Sequence, residues 1–246
     1  MSNRMATLNG KAELNGHVAV AEAPAKRATK KVDASIPALD IRTIRVRIES
    51  APESPLLMQS FSEKSKTEML ERQMKVAKSG KQARNPVEEF VNALWWMDLG
   101  KKPAKVDADA DPNKLVRGAK FGIPSRLFKQ AIVGAGNKNI GLAKTNLRGA
   151  FFVKGKLVGS DTLVEIEGTP TMDERHVRLA SGSADLRFRG FFEKWAAVLE
   201  IEYDAEQISK EQLCGLISGA GWKQGVCDFR PATCGGDYGK WQIVTE

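Results

Sequence analysis

The chain has 246 residues, is 42% hydrophobic and 28% charged, and carries a formal net charge of +8. That is enough chain to bury a core without staples, and no run of about 18 apolar residues offers a transmembrane span. Three cysteines and two distant histidines, His17 and His176, argue against a disulfide framework and a histidine-rich metal site.

The basic excess favours partners that carry negative charge, with solubility alone as the plain alternative. Residues 1–37 hold six basic side chains (Arg4, Lys11, Lys26, Arg27, Lys30, Lys31) against three acidic ones (Glu13, Glu22, Asp33) and no aromatic residue. Such a segment cannot bury enough apolar area to offset its ordering entropy. It is expected to be a disordered basic arm. Gripping phosphates and threading along a neighbouring subunit are its two functional uses; a plain tail is the other reading. The first residues also lack the apolar stretch of a secretory signal, so a reducing cytoplasm is expected.

One domain is expected over residues 38–246. Ile44, Val46 and Ile48 alternate with Arg45 and Arg47, the period of a half-buried strand with basic groups on its open face. Residues 61–79 predict an exposed helix, with Ser65 and Glu68 as a capping box. Asn85, Pro86 and Glu88 predict a firmer helix start, followed by a stripe of Val87, Phe90, Val91, Leu94 and Trp95. Residues 100–114 predict a polar loop. Asp107, Asp109 and Asp111 suggest a calcium loop, but Pro112 and Gly118 stand where its glycine and glutamate belong.

A strand near 115–122 should lead through Pro124 into a helix reaching about 133, with Leu127, Phe128, Ala131 and Ile132 inward. Gly134 and Gly136 follow that helix rather than open it, so they are no dinucleotide fingerprint, and no P-loop motif is present. Strands are then predicted over 149–158, 161–167, 175–179, 185–189 and 194–203. The last should bury Trp195, Ala197, Leu199, Ile201 and Tyr203, with Glu200 and Glu202 opposite. Ser209 and Gln212 predict a capped helix that buries Leu213, Leu216, Ile217 and Ala220 and ends at Gly219 and Gly221. A glycine-rich hairpin or strand unit follows, closing on a strand from Lys240 to Val244. Two strand–helix–strand units with extra antiparallel strands define an α+β class. The simplest architecture is an antiparallel-rich, ferredoxin-like sheet, single or duplicated, with helices on one face.

Two features suit nucleic acid. Residues Gly221 to Trp241 interleave glycines with Trp222, Phe229, Tyr238 and Trp241, and add Lys223, Arg230 and Lys240. Glycines allow close backbone approach to phosphate, aromatic faces stack bases, and cations neutralise the backbone. A glycine-rich hairpin with aromatics packed on its sheet is the alternative. Separately, Arg45, Arg47, Arg178, Arg187 and Arg189 fall on the non-core sides of their strands. They form one basic face if those strands are neighbours, or pair with Glu165, Glu167, Glu200 and Glu202 across the sheet. Cys227 and Cys234, even with Cys214 and His176, make a poor zinc set, and no catalytic motif is present. No cofactor, metal or catalytic residue is expected, and the balance leans away from an enzyme.

From Gly190 onward the chain resembles a family of largely uncharacterised bacteriophage proteins. The likeness runs through Trp195, Glu202-Tyr203-Asp204, Ile208-Ser209, Ala220-Gly221, Asp228-Phe229-Arg230-Pro231 and Gly235-Gly236-Asp237-Tyr238-Gly239-Lys240-Trp241, with Gly122-Ile123-Pro124 and Lys129 upstream. It implies a phage origin, in the cytoplasm of the infected host or in the virion. A more distant likeness is to the ferredoxin-like, repeat-associated (RAMP) RNA-binding proteins of CRISPR effector backbones. Their glycine-rich loop after the last helix corresponds to Gly221–Val244, interrupted here by Pro231 to Cys234. It implies a protein that binds RNA or another single strand and assembles in rows. The expected function is therefore non-enzymatic nucleic-acid binding by a self-associating phage protein without membrane contact. A structural protein of the phage particle, a metal-dependent nuclease and an inhibitor of a host defence protein are the alternatives.

Overall fold

In the computed structural model the described residues are 39–61, 63–74, 83–136, 143–178 and 182–244. The expected arm over 1–37, and the ends of the helix expected to reach 79 and of the strand expected to reach 179, lie outside them.

The alternation near the start holds. Strand β1 (Ile41–Ser50) buries Ile44, Val46 and Ile48, and the short β2 (Leu56–Met58) is buried throughout. Helix α1 (Glu63–Gln73) begins before Ser65, which therefore does not occupy the capping position expected of it. Helix α2 (Pro86–Ala93) starts as its cap signals: the Glu88 N–H donates to Asn85 Oδ1 at 3.1 Å, and Val87, Phe90 and Val91 turn inward. The helix stops one residue before Leu94. The next residues join the sheet instead: Gly122 N–H donates to Trp95 O, and Trp96 bridges Phe121. The loop over 100–114 carries a short helix, α3 (Pro112–Leu115), and Asp111 caps it by accepting from the Asn113 N–H at 3.0 Å. Among the described residues no cluster of metal-ligating side chains occurs.

Strand β3 (Phe121–Pro124) runs into α4 (Ser125–Ala135), which buries Phe128, Ala131 and Ile132. The strand expected over 149–158 is instead the end of a helix and two short strands: α5 (Lys144–Ala150), β4 (Phe151–Val153) and β5 (Lys156–Val158). The break falls at Gly155, where a Cβ would stand 2.6 Å from the Leu163 carbonyl oxygen. Strands β6 (Asp161–Glu167), β7 (Thr171–Arg178), β8 (Ala184–Phe192) and β9 (Ala196–Asp204) follow. Helix α6 (Lys210–Lys223) has the expected capping box, closed by bonds of 3.2 and 3.0 Å between Ser209 and Gln212, and runs on to Lys223. A single turn, α7 (Pro231–Cys234), and strand β10 (Trp241–Ile243) end the described chain.

The larger sheet runs β10-β1-β9-β6-β3, with β4 also on β9 and β5 on β6, and every neighbour is antiparallel. Taking β4 with β6 as one interrupted strand, the path β1, α4, β4/β6, β9, α6, β10 has the ferredoxin-like order: fourth strand beside first, then third, then second. Helices α4 and α6 pack on each other over this sheet. Between them and the strands lie Ile48, Leu199, Ile201, Phe128, Ile132, Leu213 and Ile217, all with no more than trace exposure. Each such side chain contributes roughly 1.5–3 kcal/mol of transfer free energy.

The smaller sheet, β2-β8-β7, is assembled from two excursions, one between β1 and α4 and one between β6 and β9. It carries no crossover helix, so the described chain holds one ferredoxin-like unit rather than a duplication. Helix α2 packs on β8, where a methyl group at Gly190 would collide with Leu94.

Candidate nucleic-acid interface

The five strand arginines do not form one face. Arg45 and Arg47 stand on the larger sheet, while Arg178, Arg187 and Arg189 stand on the smaller one. On the larger sheet the cross-strand pairing prevails. Arg45 lies 3.8 Å from Glu200, and Arg47 holds Glu167 through two bonds of 2.8 Å while reaching Glu49 at 3.3 Å. Lys154 with Glu202 and Lys120 with Glu165 add two further pairs. Opposite charges on facing residues neutralise one another, and this face is left without a basic field.

Within the smaller sheet, register divides the rest. Arg178 faces Ala184, and Arg187 faces Arg175. Side chains alternate along a strand, so Arg178 lies on the opposite side from Arg187 and Arg189. Arg175, Asp173, Arg187, Arg189 and Phe191 share one side. The period at 175–179 pointed to Val177 as inward; the full strand extends back to Thr171 and buries neither side completely.

The segment after α6 covers this side. Its backbone is pinned to the strand edge: Asp228 N–H donates to Leu57 O at 3.0 Å, and Gly239 N–H to Pro55 O at 2.8 Å. Val226 N–H donates to Gly239 O, and Tyr238 N–H to Phe229 O. Gly239 has φ +67°, and a Cβ there would collide with the Val226 carbonyl oxygen. In place of a simple hairpin, the turn α7 separates the two pinned stretches. Cys227 and Phe229 have φ values of 62° and 54°, so Asp228 is held between two left-handed residues that are not glycine. Such conformations cost about 1–3 kcal/mol each and persist only where their surroundings enforce them.

The covering segment and the arginines make one cluster. Arg175 Cζ lies 5.2 Å from the Phe229 ring centroid and 5.3 Å from that of Tyr238. Arg175 Nη2 donates to Asp173 Oδ1 at 3.0 Å and to the Tyr238 hydroxyl at 3.3 Å. Arg189 Cζ lies 5.4 Å from Phe229. Its Nε donates to Gln59 Oε1 at 2.9 Å and sits 3.3 Å from Asp228 Oδ2. Phe191 and Phe229 flank the Tyr238 ring at 6.4 and 6.1 Å. Two buried polar atoms here, Arg189 Nη1 and Asp173 Oδ2, have no hydrogen-bond partner.

Exposure sorts the roles. The Arg189 side chain is 4% exposed, those of Arg175 and Arg187 are 30% and 39% exposed. Arg189 is therefore a buried support, and the other two meet solvent. Burial pulls the Arg189 pKa down, with Arg187 and Arg175 adding repulsion against the help of Asp228. Burial likewise pushes the Asp228 carboxyl above its ordinary value, and the neighbouring arginines oppose that. Arg187 lies 3.5 Å from Asp185, which it shares with Arg84 at 3.1 Å.

The remaining sequence candidates fall elsewhere or deeper. Arg230 is half-buried and donates to the Cys227 carbonyl at 2.9 Å. Trp241 is 2% exposed and packs edge-on against Phe128 at 5.9 Å, so it belongs to the core and offers no free face. Lys240 pairs with Asp237 at 2.8 Å, and Lys223 is exposed at the end of α6. Buried Cys227, exposed Cys234 and Cys214 are all free thiols. Sequence reasoning missed Arg175, Asp173 and Gln59. Arg175 comes to stand opposite Arg187 only through the β7–β8 register, which no local pattern reveals.

No family model and no curated protein matches this sequence. A similar solved structure is Cmr6 from Pyrococcus furiosus, at 15% identity and a TM-score of 0.32, over 84% of this chain and 100% of that one. A likeness of that size assigns no role to any residue here. Among the described residues no helix is long and apolar enough to cross a membrane.

Proposed function

We propose that this chain is a non-enzymatic protein that binds single-stranded nucleic acid on the small sheet. Phosphates engage Arg175 and Arg187, and bases lie against Phe229 and Tyr238. The observation that carries the proposal is the arginine pair itself. Arg175 and Arg187 occupy facing positions on neighbouring strands, where like charges cost stability. An anion between them relieves that repulsion, and aromatic rings beside it accept a base without regard to sequence. The net charge of +8 draws a polyanion toward the chain. A phage setting rests on the resemblance over Gly190–Trp241 described above.

The test is fluorescence anisotropy of the full chain with labelled single-stranded DNA, single-stranded RNA and duplex across a salt series. Binding to a single strand that weakens steeply with salt is expected. No binding to any of the three at low salt overturns the proposal.

Self-association has its own support. Phe61, Leu70 and Met74, on and beside α1, are each more than half exposed. Leu70 and Met74, four residues apart with the Met74 N–H on the Leu70 carbonyl, are neighbours, and exposed apolar residues suit contact with another protein surface. Light scattering on the same samples tests it: a monomer at every concentration removes assembly from the proposal.

A further inference from the structure

Trp222 is the second-to-last residue of α6 and is 68% exposed, on the side of the helix away from its buried stripe. Tryptophan is highly buried on average, and indoles left in water are enriched where partners bind. The surroundings of this one are basic. Lys240 Nζ lies 5.2 Å from its ring centroid, and Lys223 beside it is exposed.

The fold holds this arrangement in place. Gly221 lies against Trp241, where a Cβ would collide with the Trp241 carbonyl oxygen. That contact sets the end of α6 against the start of β10. Lys240 is fixed by its own backbone: its N–H donates to Ser54 Oγ at 2.9 Å, and its carbonyl accepts from Ala51 N–H at 3.0 Å. The Lys240 side chain is 15% exposed and its partner Asp237 is 78% exposed. Tyr238, a member of the arginine cluster, precedes Lys240 by two residues, a Cα separation of at most about 7 Å. The pinned stretch 237–240 therefore joins the two places directly.

We infer that Trp222 is a second stacking platform for the same single strand, continuing its path from Arg187 and Tyr238. A base lies on the exposed indole face. Lys223 and Lys240 take the flanking phosphate, Lys240 exchanging Asp237 for it. This rests on the function proposed above. The competing role for the lysines is to offset the negative end of the α6 dipole, which requires no indole.

The experiment uses the full chain and an oligothymidylate, reading tryptophan emission and, with a labelled copy, anisotropy. Trp96, Trp195 and Trp241 are buried and Trp95 is partly buried against the core, so the exposed Trp222 dominates any quenching by a bound base. Wild type is expected to lose emission on binding. Trp222→Phe should keep most of the affinity and lose the quenching; Trp222→Ala should weaken binding about tenfold. Thermal melting serves as the control, and an exposed position should leave it unmoved. If Trp222→Ala binds as wild type and Trp222→Phe is still quenched while Arg187→Ala has lost affinity, the platform is wrong and the interface stands. If wild type binds no single strand, both fail together.

Discussion

Arg175 faces Arg187 directly across the β7–β8 ladder, and both lie on the side of the sheet that Phe229 and Tyr238 cover. Like charges at facing positions cost stability, and each of the two leans on an aspartate. Asp173 bonds Arg175 at 3.0 Å, and Asp185 is shared between Arg187 and Arg84. On the function proposed above, a bound phosphate is a further partner for this pair.

Arg187→Ala is expected to weaken single-strand binding about tenfold at low salt and to lower the salt slope by about 0.7, the share of one phosphate on a single strand. Its melting temperature should equal or exceed that of wild type, because a repulsion is removed. Tyr238→Ala should weaken binding without changing the slope. Unchanged affinity in both variants would place the interface elsewhere.

On the function proposed above, Asp228, 3.3 Å from the buried Arg189 and within electrostatic reach of Arg187, competes with an anion bound at Arg187. Asp228→Asn should therefore tighten single-strand binding severalfold. In wild type the carboxyl titrates above the ordinary value of 3.8, since burial raises it. Its contribution to stability is fully present below that ordinary value and is lost as pH rises through the raised one. Binding should strengthen as pH falls through the raised value, where the competing charge disappears. A pH series of anisotropy curves on both proteins checks this, and identical profiles would refute the competition.

On the larger sheet Arg47 and Glu167 serve the fold. The Arg47 guanidinium holds the Glu167 carboxyl below its ordinary value of 4.5. The stability it confers is present above that value and is lost as pH falls through the lowered one. Glu167→Gln should remove this part of the acid sensitivity of melting while leaving nucleic-acid affinity unchanged. Arg45→Ala should leave affinity unchanged as well. A loss of binding in either would return the larger sheet to the interface.

Trp241→Ala should cost about 3–5 kcal/mol of stability, as expected for a buried aromatic packed on Phe128. Gly239→Ala should cost about 1–3 kcal/mol, because its backbone is left-handed and the Val226 carbonyl blocks a Cβ. Denaturant unfolding measures both. A Trp241→Ala protein with wild-type stability and impaired binding would make Trp241 a contact residue after all.

Local signals alone specified several elements. The alternation at Ile44, Val46 and Ile48 gave β1 its inner face, and Asn85 with Pro86 and the Ser209–Gln212 box started α2 and α6. Each depends on residues within one or two turns of chain, so periodicity and capping chemistry suffice. Helix ends were less legible: α2 stops where Trp95 and Trp96 pair with distant backbone.

What tertiary structure decided was which strands are neighbours. Composition supplied a basic chain with arginines on strand faces, and the C-terminal pattern supplied glycines and aromatics. Only register sent Arg47 to Glu167, turned Arg178 away, set Arg175 across from Arg187 and buried Trp241 while leaving Trp222 in water. Strand alternation is readable in a sequence because its period is local. The partner across the ladder is not, because pairing joins residues far apart along the chain, and a shift of one residue exchanges every face.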